Sequence, residues 1–146
     1  MAQGFRFNQL IYGTLVNGLS KTGETKVALE LLKKIEGHSI KPNVVMYNTI
    51  IDNLCKNKLV ADAYENEKHQ PKGKMKEAKI VMAAMVKAGV KPNVVTYTIL
   101  MNGYCLINEV KHAKYVFNSM VQNGIAPNVH CYTTMIDGFC KKQNDR

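Results

Sequence analysis

The sequence predicts an all-α fold: a right-handed α-solenoid of stacked antiparallel helix hairpins, with repeats of about 35 residues and one irregular middle repeat. The main observation is an internal repeat, because the six residues 42–47 (PNVVMY) recur with small changes at 92–97 and 127–132. The repeated tyrosines Tyr12, Tyr47, Tyr97 and Tyr132 are separated by 35, 50 and 35 residues. Helical apolar spacing follows each tyrosine, and no segment has the alternating pattern that is typical of a strand.

A first helix of about twelve residues is predicted after each tyrosine, because apolar residues fall at i, i+3, i+4 and i+7 and form one stripe. The four stripes are Tyr12, Leu15, Val16 and Leu19; Tyr47, Ile50, Ile51 and Leu54; Tyr97, Leu100, Met101 and Tyr104; and Tyr132, Met135, Ile136 and Phe139. Since the four tyrosines lie on these stripes, we expect them to be core residues.

A second helix is predicted to complete each hairpin. Its stripes are Ala28, Leu31, Leu32 and Ile35; Ala78, Val81, Met82 and Met85; and Ala113, Val116, Phe117 and Met120. Glycines 37, 89 and 124 follow these stripes, and Pro42, Pro92 and Pro127 come soon afterwards. Glycine just past a helix and proline beyond it are the expected stop signals.

The predicted units are residues 9–43, 44–93, 94–128 and a half unit at 129–146. Stacked hairpins bury their stripes against neighbouring units, so the end of the last, unpaired helix should be apolar. The second unit has 15 extra residues, and both VADA (60–63) and MKEA (75–78) resemble the start of a second helix. We therefore expect a shortened helix near 59–68, a loop around 70–73 and a full helix at 74–88.

Composition narrows the functional classes. The chain has 146 residues, of which 46% are hydrophobic, and its formal charge of +9 favours a polyanionic partner. No apolar run is long enough to span a membrane, and the N-terminus does not resemble a signal or transit peptide. Cys55, Cys105, Cys131 and Cys140 lack zinc-knuckle spacing, so we expect reduced thiols and no metal.

Catalytic motifs are not found in the sequence. It contains no P-loop, nucleophile elbow, metalloprotease helix or deaminase signature, and Asp52 and Asp137 share a repeat position without a carboxylate partner. The sequence therefore predicts a protein that is not an enzyme and needs no cofactor.

Several segments resemble the pentatricopeptide repeat family. Residues 94–105 (VVTYTILMNGYC) and 47–56 (YNTIIDNLCK) resemble the opening helix of its repeat, and 120–128 (MVQNGIAPN) resembles the repeat's end. With 132–141, the resemblance covers nearly the whole chain, and the similarity of the units is typical of the plant restorer-of-fertility-like, P-type class. The resemblance implies binding of single-stranded RNA, one base per repeat, in mitochondrial RNA processing, stability or translation, with RNA-processing proteins as further partners.

The resemblance also implies roles for individual residues. The base-reading pairs are Gly13 with Asn43, Asn48 with Asn93, and Thr98 with Asn128, while Thr133 stands alone. The Thr98 pair implies adenine, and the asparagine pair implies a pyrimidine, cytosine before uracil. The residues that wedge between bases are Leu10, Val45, Val95 and His130, and the phosphate contacts are Lys21, Lys56 and Lys141, with Leu106 at that position in the third unit.

Other interpretations of the same residues remain open at this point. Asn43, Asn93 and Asn128 each precede a predicted helix, where asparagine is a favoured N-cap. The lysines lie near helix C-termini, where a cation is favoured by the helix dipole. The chain itself is alternatively a protein–protein scaffold, or a nonfunctional fragment of a longer repeat array.

Overall fold

The computed structural model describes the backbone of residues 2–37, 41–56 and 71–144, and the side chains of residues 11–35, 41–56 and 73–141. Within these ranges the chain forms helices and no strand, which confirms the predicted all-α class. The helices are α1 (Ala2–Lys21), α2 (Thr25–Gly37), α3 (Val44–Lys56), α4 (Pro71–Lys87), α5 (Val94–Leu106), α6 (Val110–Gln122) and α7 (Val129–Asn144). None of the described helices is long and apolar enough to cross a membrane.

Two helices differ in extent from the sequence prediction. Helix α1 has 20 residues, not about twelve. The loop predicted around 70–73 is wrong for its last three residues, because α4 begins at Pro71 and has 17 residues against 13 in α6. Proline is compatible with the first position of a helix, where its missing N–H has no partner to lose. The shortened helix predicted near 59–68 lies outside the described residues.

The helices stack in two layers. The first helices, α1, α3, α5 and α7, pack on one another in order, and each second helix packs on its own first helix and on the next one. Within the described ranges, successive second helices have at most sparse contact with one another. Because the first helices approach one another more closely, the stack curves toward them, and their free surface is the concave side.

The core lies between the two layers, and the predicted stripes supply most of it. In the second helices the buried residues that belong to the predicted stripes are Ala28, Leu32, Ile35, Ala78, Val81, Met85, Ala113, Val116 and Met120. In α3 and α5 the stripes are buried along their whole length, from Tyr47 to Leu54 and from Tyr97 to Tyr104. The two central first helices are therefore covered by neighbours on both sides.

The apolar stripe of α7 is much less buried than the stripes of α3 and α5. Tyr132, Ile136 and Phe139 keep 53%, 61% and 47% of their surface exposed, which agrees with the apolar end predicted for the last helix. The prediction that all four repeated tyrosines are core residues is wrong for Tyr132. Tyr132 packs against Phe117 of the preceding helix α6, with ring centroids 5.7 Å apart, but among the described helices none packs on α7 from the following side as α6 packs on α5 over Tyr97.

The second helices stop where the sequence predicts. Gly89 and Gly124 have φ of 81° and 79°, a left-handed conformation that glycine adopts without steric cost. The next amides turn back onto the helix, from Val90 N to Met85 O (3.0 Å) and from Ile125 N to Met120 O (3.1 Å). These bonds satisfy carbonyls that would otherwise lose their partners at the helix end.

Glycines also set the spacing between first helices. A Cβ atom on Gly103 would lie 2.8 Å from Met75 Sδ and 2.9 Å from Cys55 Cβ, and Gly138 faces Cys105 in the same way. These distances are too short for real carbon contacts, so the packing of α5 on α3 and of α7 on α5 requires glycine. Gly18 occupies the same repeat position in α1, yet a Cβ there would meet nothing within 4 Å.

We therefore expect Gly103→Ala to destabilise the protein by roughly 1–3 kcal/mol, because the added methyl must push α5 away from α3. Gly18→Ala is the matched control and should stabilise by up to about 1 kcal/mol, because alanine is the better helix former. Urea unfolding of both variants measures the difference. Equal effects at the two positions would contradict the close packing at Gly103.

Candidate nucleic-acid interface

A cleft of about 140 Å³ opens on the concave side, where α3, α5 and the start of α7 meet. Its lining residues are Asp52, Lys56, Val95, Thr98, Ile99, Asn102, Asn128 and His130. Five of these eight carry a role that the sequence assigned: one base-reading pair, two wedging residues and one phosphate lysine. The stacking of first helices thus brings together residues that lie far apart in the chain.

Each asparagine before a first helix caps that helix. The Asn43, Asn93 and Asn128 Oδ1 atoms accept hydrogen bonds from the backbone N–H groups of Met46 (3.0 Å), Thr96 (3.1 Å) and Cys131 (3.0 Å). Capping satisfies an amide that the helix leaves unpaired. Because the cap uses the oxygen, the Nδ2 group of the same side chain remains a donor, and capping is chemically compatible with contact to a ligand.

The Thr98–Asn128 pair presents one acceptor and one donor to the cleft. Thr98 Oγ1 donates its proton to the Val94 carbonyl (2.7 Å) and lies 3.2 Å from Cys131 Sγ. Its proton is therefore spent within α5, and its remaining capacity is that of an acceptor. Asn128, which is exposed, contributes the amide donor that its capping bond leaves free.

The Asn48–Asn93 pair is joined directly. Asn48 Nδ2 donates to Asn93 Oδ1 (3.2 Å), and Thr96 Oγ1 donates to Asn48 Oδ1 (2.6 Å). The two asparagines meet despite the extra residues of the second unit, because α5 packs on α3 regardless of the length of chain between them. Asn48 and Thr98, the first-helix members of the two pairs, are similarly buried, with 8% and 5% of their surface exposed, whereas Asn93 is half-buried and Asn128 is exposed.

The other predicted base-reading residues lie at the two ends of the stack. Gly13 is half-buried in α1 and has open space where a side chain would project, while its partner Asn43 is exposed. Thr133 is exposed in α7, and its Oγ1 donates to the Val129 carbonyl (2.9 Å). The described structure thus places two complete side-chain pairs, at Asn48 and at Thr98.

The predicted wedging residues are exposed on the concave side. Val45 and Val95 keep 65% and 50% of their surface exposed, although valine is ordinarily a core residue. His130 is exposed as well, and Val95 and His130 both line the cleft around Thr98. The side chain of Leu10 lies outside the described residues.

The predicted phosphate lysines are all exposed, but only Lys56 lines the cleft. Lys21 and Lys56 are the last residues of α1 and α3, where a cation also favours the helix dipole, while α7 continues past Lys141. Lys56 Nζ lies 3.2 Å from Asp52 Oδ1. Such an exposed pair contributes well under about 1 kcal/mol, so a phosphate can replace the carboxylate. Leu106 is 38% exposed and provides no charge.

The sequence alone did not assign the roles of Thr96, Asp52 and Asn102. Asp52 and Asn102 line the cleft, and Thr96 supports the Asn48–Asn93 pair. A periodic signal for two of them was present, since Asn17, Asp52, Asn102 and Asp137 all lie five residues after a repeated tyrosine. A polar side chain at a fixed place in an apolar helix indicates a shared surface.

All four cysteines are free thiols; Cys105 and Cys131 are buried, Cys55 is partly buried and Cys140 is exposed. Burial, with a smaller contribution from the Asp52 carboxylate and an opposing one from Lys56, raises the pKa of Cys55 to about 12. Burial also raises the pKa of Cys105. Both thiols therefore stay protonated and unreactive near neutral pH. Among the residues the structure describes, no cluster of side chains is suited to hold a metal ion.

We expect iodoacetamide at pH 8 to modify Cys140, which is exposed, and to leave Cys55, Cys105 and Cys131 unmodified in the folded protein. The reaction requires a thiolate that the reagent can reach. Mass spectrometry of the alkylated chain gives the sites, and the same reaction in denaturant, where all four should react, is the control. Rapid modification of Cys55 in the folded protein would contradict its raised pKa.

An all-α stack of hairpins, with an open cleft of mixed polar and apolar lining along its first helices, defines a helical-repeat protein. The model of the PPR repeat family matches residues 8–56, 70–106 and 99–141, and the chain belongs to that family. The chain is similar to "Pentatricopeptide repeat-containing protein At3g09650, chloroplastic" of Arabidopsis thaliana, with 32% identity over 65% of this chain and 11% of the relative. It is also similar to "Pentatricopeptide repeat-containing protein At2g18520, mitochondrial" of the same plant, with 25% identity over 68% of this chain and 28% of the relative.

Solved structures agree with the fold. The pentatricopeptide repeat protein PPR10 in complex with an 18-nt psaJ RNA element aligns with a TM-score of 0.71 and 30% identity, over 89% of this chain and 17% of that protein. PPR10 from maize aligns with a TM-score of 0.69 and 30% identity, over 90% of this chain and 17% of that protein. The α-solenoid prediction is confirmed by this likeness. The chain spans a small part of these relatives, between 11% and 28% of their length.

Proposed function

We propose that this chain binds single-stranded RNA selectively along the concave surface of its first helices. The observation that carries the proposal is the cleft, in which Thr98 and Asn128 lie beside the exposed Val95 and His130. Flat side chains and exposed valines provide faces for unstacked bases, and the polar pair provides contacts to a base edge. The neighbour PPR10, solved in complex with RNA, supports this use of the surface.

The hydrogen-bonding state of the Thr98–Asn128 pair favours adenine. Thr98 offers an acceptor and Asn128 a donor, the complement of the adenine N6–H and N1 groups. On the same edge, guanine and uracil have an acceptor where adenine has the N6–H donor, and a donor where adenine has the N1 acceptor. Cytosine has the same order on a smaller ring, and the larger adenine stacks on more of the surface formed by Val95 and His130. The Asn48–Asn93 pair, by contrast, is proposed to read a pyrimidine, cytosine before uracil.

The remaining roles follow from position. Val45, Val95 and His130, with Leu10 at the start of the array, separate successive bases, and Lys21, Lys56 and Lys141 contact phosphates. The first pair should discriminate poorly, because Gly13 has no side chain to place against a base. The repeat units remain those proposed from the sequence, with the base at Thr133 read by a single side chain.

The affinity of this chain alone should be low. Two or three stacked bases contribute roughly 3–9 kcal/mol before ordering costs, whereas micromolar binding needs about 8 kcal/mol net. Extra repeats would extend the contact along the same strand. Curated relatives are assigned to chloroplasts and mitochondria, and for this chain we favour a mitochondrial RNA. Its action there is to occupy a site or to recruit RNA-processing proteins, without catalysis of its own.

We expect Thr98→Asn to move the preference at that position from adenine toward a pyrimidine by roughly fivefold, the effect of a hydrogen bond of about 1 kcal/mol. The reason is that the asparagine amide can donate a hydrogen bond where the Thr98 hydroxyl only accepts one, so the match to adenine N6–H is lost. Fluorescence anisotropy with short RNAs that differ at one base measures the ratio of dissociation constants.

The control for that experiment is Thr133→Asn, which makes the same change at the same repeat position outside the cleft. This control variant should leave the adenine preference at the Thr98–Asn128 position unchanged. An unchanged preference in Thr98→Asn would refute the role of Thr98 in base reading. If the unmodified chain binds no RNA even at low salt, the RNA proposal fails, and the scaffold or remnant interpretation is favoured.

We expect Lys56→Gln to weaken binding of every RNA by a similar factor, because Lys56 is proposed to contact phosphate and not a base. The slope of log K against log salt is negative, and losing one phosphate contact should make it less steep by about 0.7. Titrations at two or more salt concentrations measure it. Lys114→Gln, an exposed lysine on the second helix α6, is the charge-matched control. Equal slopes for the two variants would contradict the phosphate role of Lys56.

A further inference from the structure

The hydroxyl group of Thr96 lies behind the Asn48–Asn93 pair and is fully buried, with 0% of the residue exposed. It accepts a hydrogen bond from the Asn93 backbone N–H (3.1 Å). Its own proton goes to Asn48 Oδ1 (2.6 Å), which lies closer than the alternative acceptor Asn93 Oδ1 (3.1 Å). The second of these bonds joins side chains of two neighbouring first helices, 48 residues apart in the chain. Thr96 is therefore more than a capping residue of α5.

This bond fixes the orientation of the Asn48 amide. With its oxygen held by Thr96, the amide nitrogen must turn toward Asn93, whose Oδ1 accepts from Asn48 Nδ2 (3.2 Å) and from the Thr96 backbone N–H (3.1 Å). The oxygens of both asparagines are thus engaged inside the network. What remains for a ligand is mainly N–H: the second proton on Asn48 Nδ2 and both protons on Asn93 Nδ2.

We infer that Thr96 is a positioning residue that determines the base selectivity of the Asn48–Asn93 pair, by fixing both amides as donors toward the RNA. A donor pair suits a base edge with two neighbouring acceptors, such as cytosine N3 and O2, and disfavours the donor–acceptor edge of adenine. The inference rests on the proposed RNA binding, and it adds a residue that does not itself touch the base.

The other reading positions have different residues in this supporting place. Behind Thr98 lies Cys131, whose Sγ is 3.2 Å from Thr98 Oγ1, and a thiol is only a weak donor. The corresponding residue of α3 is Met46, which is buried and has no hydroxyl group. The supporting residue is the third residue of the next first helix, and its hydrogen-bonding capacity differs between units. This capacity determines how firmly the base-reading side chain on the helix before it is oriented.

The test uses Thr96→Val, which removes the hydroxyl at nearly constant shape, together with Thr96→Cys, which installs the residue that α7 carries at this place. Thr96→Ser is the rescue variant, because it keeps the hydroxyl. Each is titrated with short RNAs in which two adjacent bases are varied in every combination, so that the two reading positions are measured separately. Thermal unfolding of each variant reports stability independently.

We expect the valine and cysteine variants to lose the cytosine-over-adenine preference at one position by roughly three- to tenfold, while Thr96→Ser keeps it. The adenine preference of the Thr98–Asn128 position should stay unchanged in all variants. Retained cytosine preference in both the valine and cysteine variants, or equal loss of preference at both positions, would overturn the role of Thr96. Binding of no RNA by the unmodified chain would overturn the proposed function as well.

Discussion

The close approach of neighbouring first helices is the constraint on which the other features depend. Gly103 and Gly138 leave no room for a side chain, and Cys55 and Cys105 fill the facing positions. Because the first helices meet so closely while the second helices remain apart, the stack curves and gains a concave face. That spacing brings the last residue of each unit, just before the next first helix, against the proposed base-reading position in the first helix of the same unit. A wider spacing would separate the two halves of every reading pair.

The asparagine before each first helix combines a capping role with a proposed RNA-binding role in one side chain. Its oxygen caps the helix, which stabilises the start of the helix by about 1 kcal/mol, and its nitrogen stays available on the concave side. Capping and base reading were competing explanations from the sequence. The hydrogen bonds make them compatible, because an amide has two chemically distinct ends. The same structural demand that places an asparagine there also fixes which of its atoms a ligand meets.

Prediction from the sequence succeeded for features that depend on local periodicity. The stripes and the glycine stops follow from a repeat that is nearly identical in successive units. The start of α4 was predicted three residues too late, because Pro71 was taken as a helix breaker although the first turn of a helix accepts proline. Tyr132 was taken for a core residue because its pattern matches that of Tyr97, while burial also requires a neighbouring helix.

The sequence by itself determined the helix-hairpin repeat, because apolar spacing and recurring motifs are properties of a chain read in one dimension. The resemblance of those motifs to the pentatricopeptide repeat family implied the candidate reading positions. Only the tertiary structure decided that Asn48 and Asn93 meet across the irregular unit, and that Thr96 lies behind them. It also decided that Asp52 and Lys56 share a cleft with Asn128. These relations depend on how closely one helix packs on the next, and contacts between units leave no periodic signal of their own in the sequence.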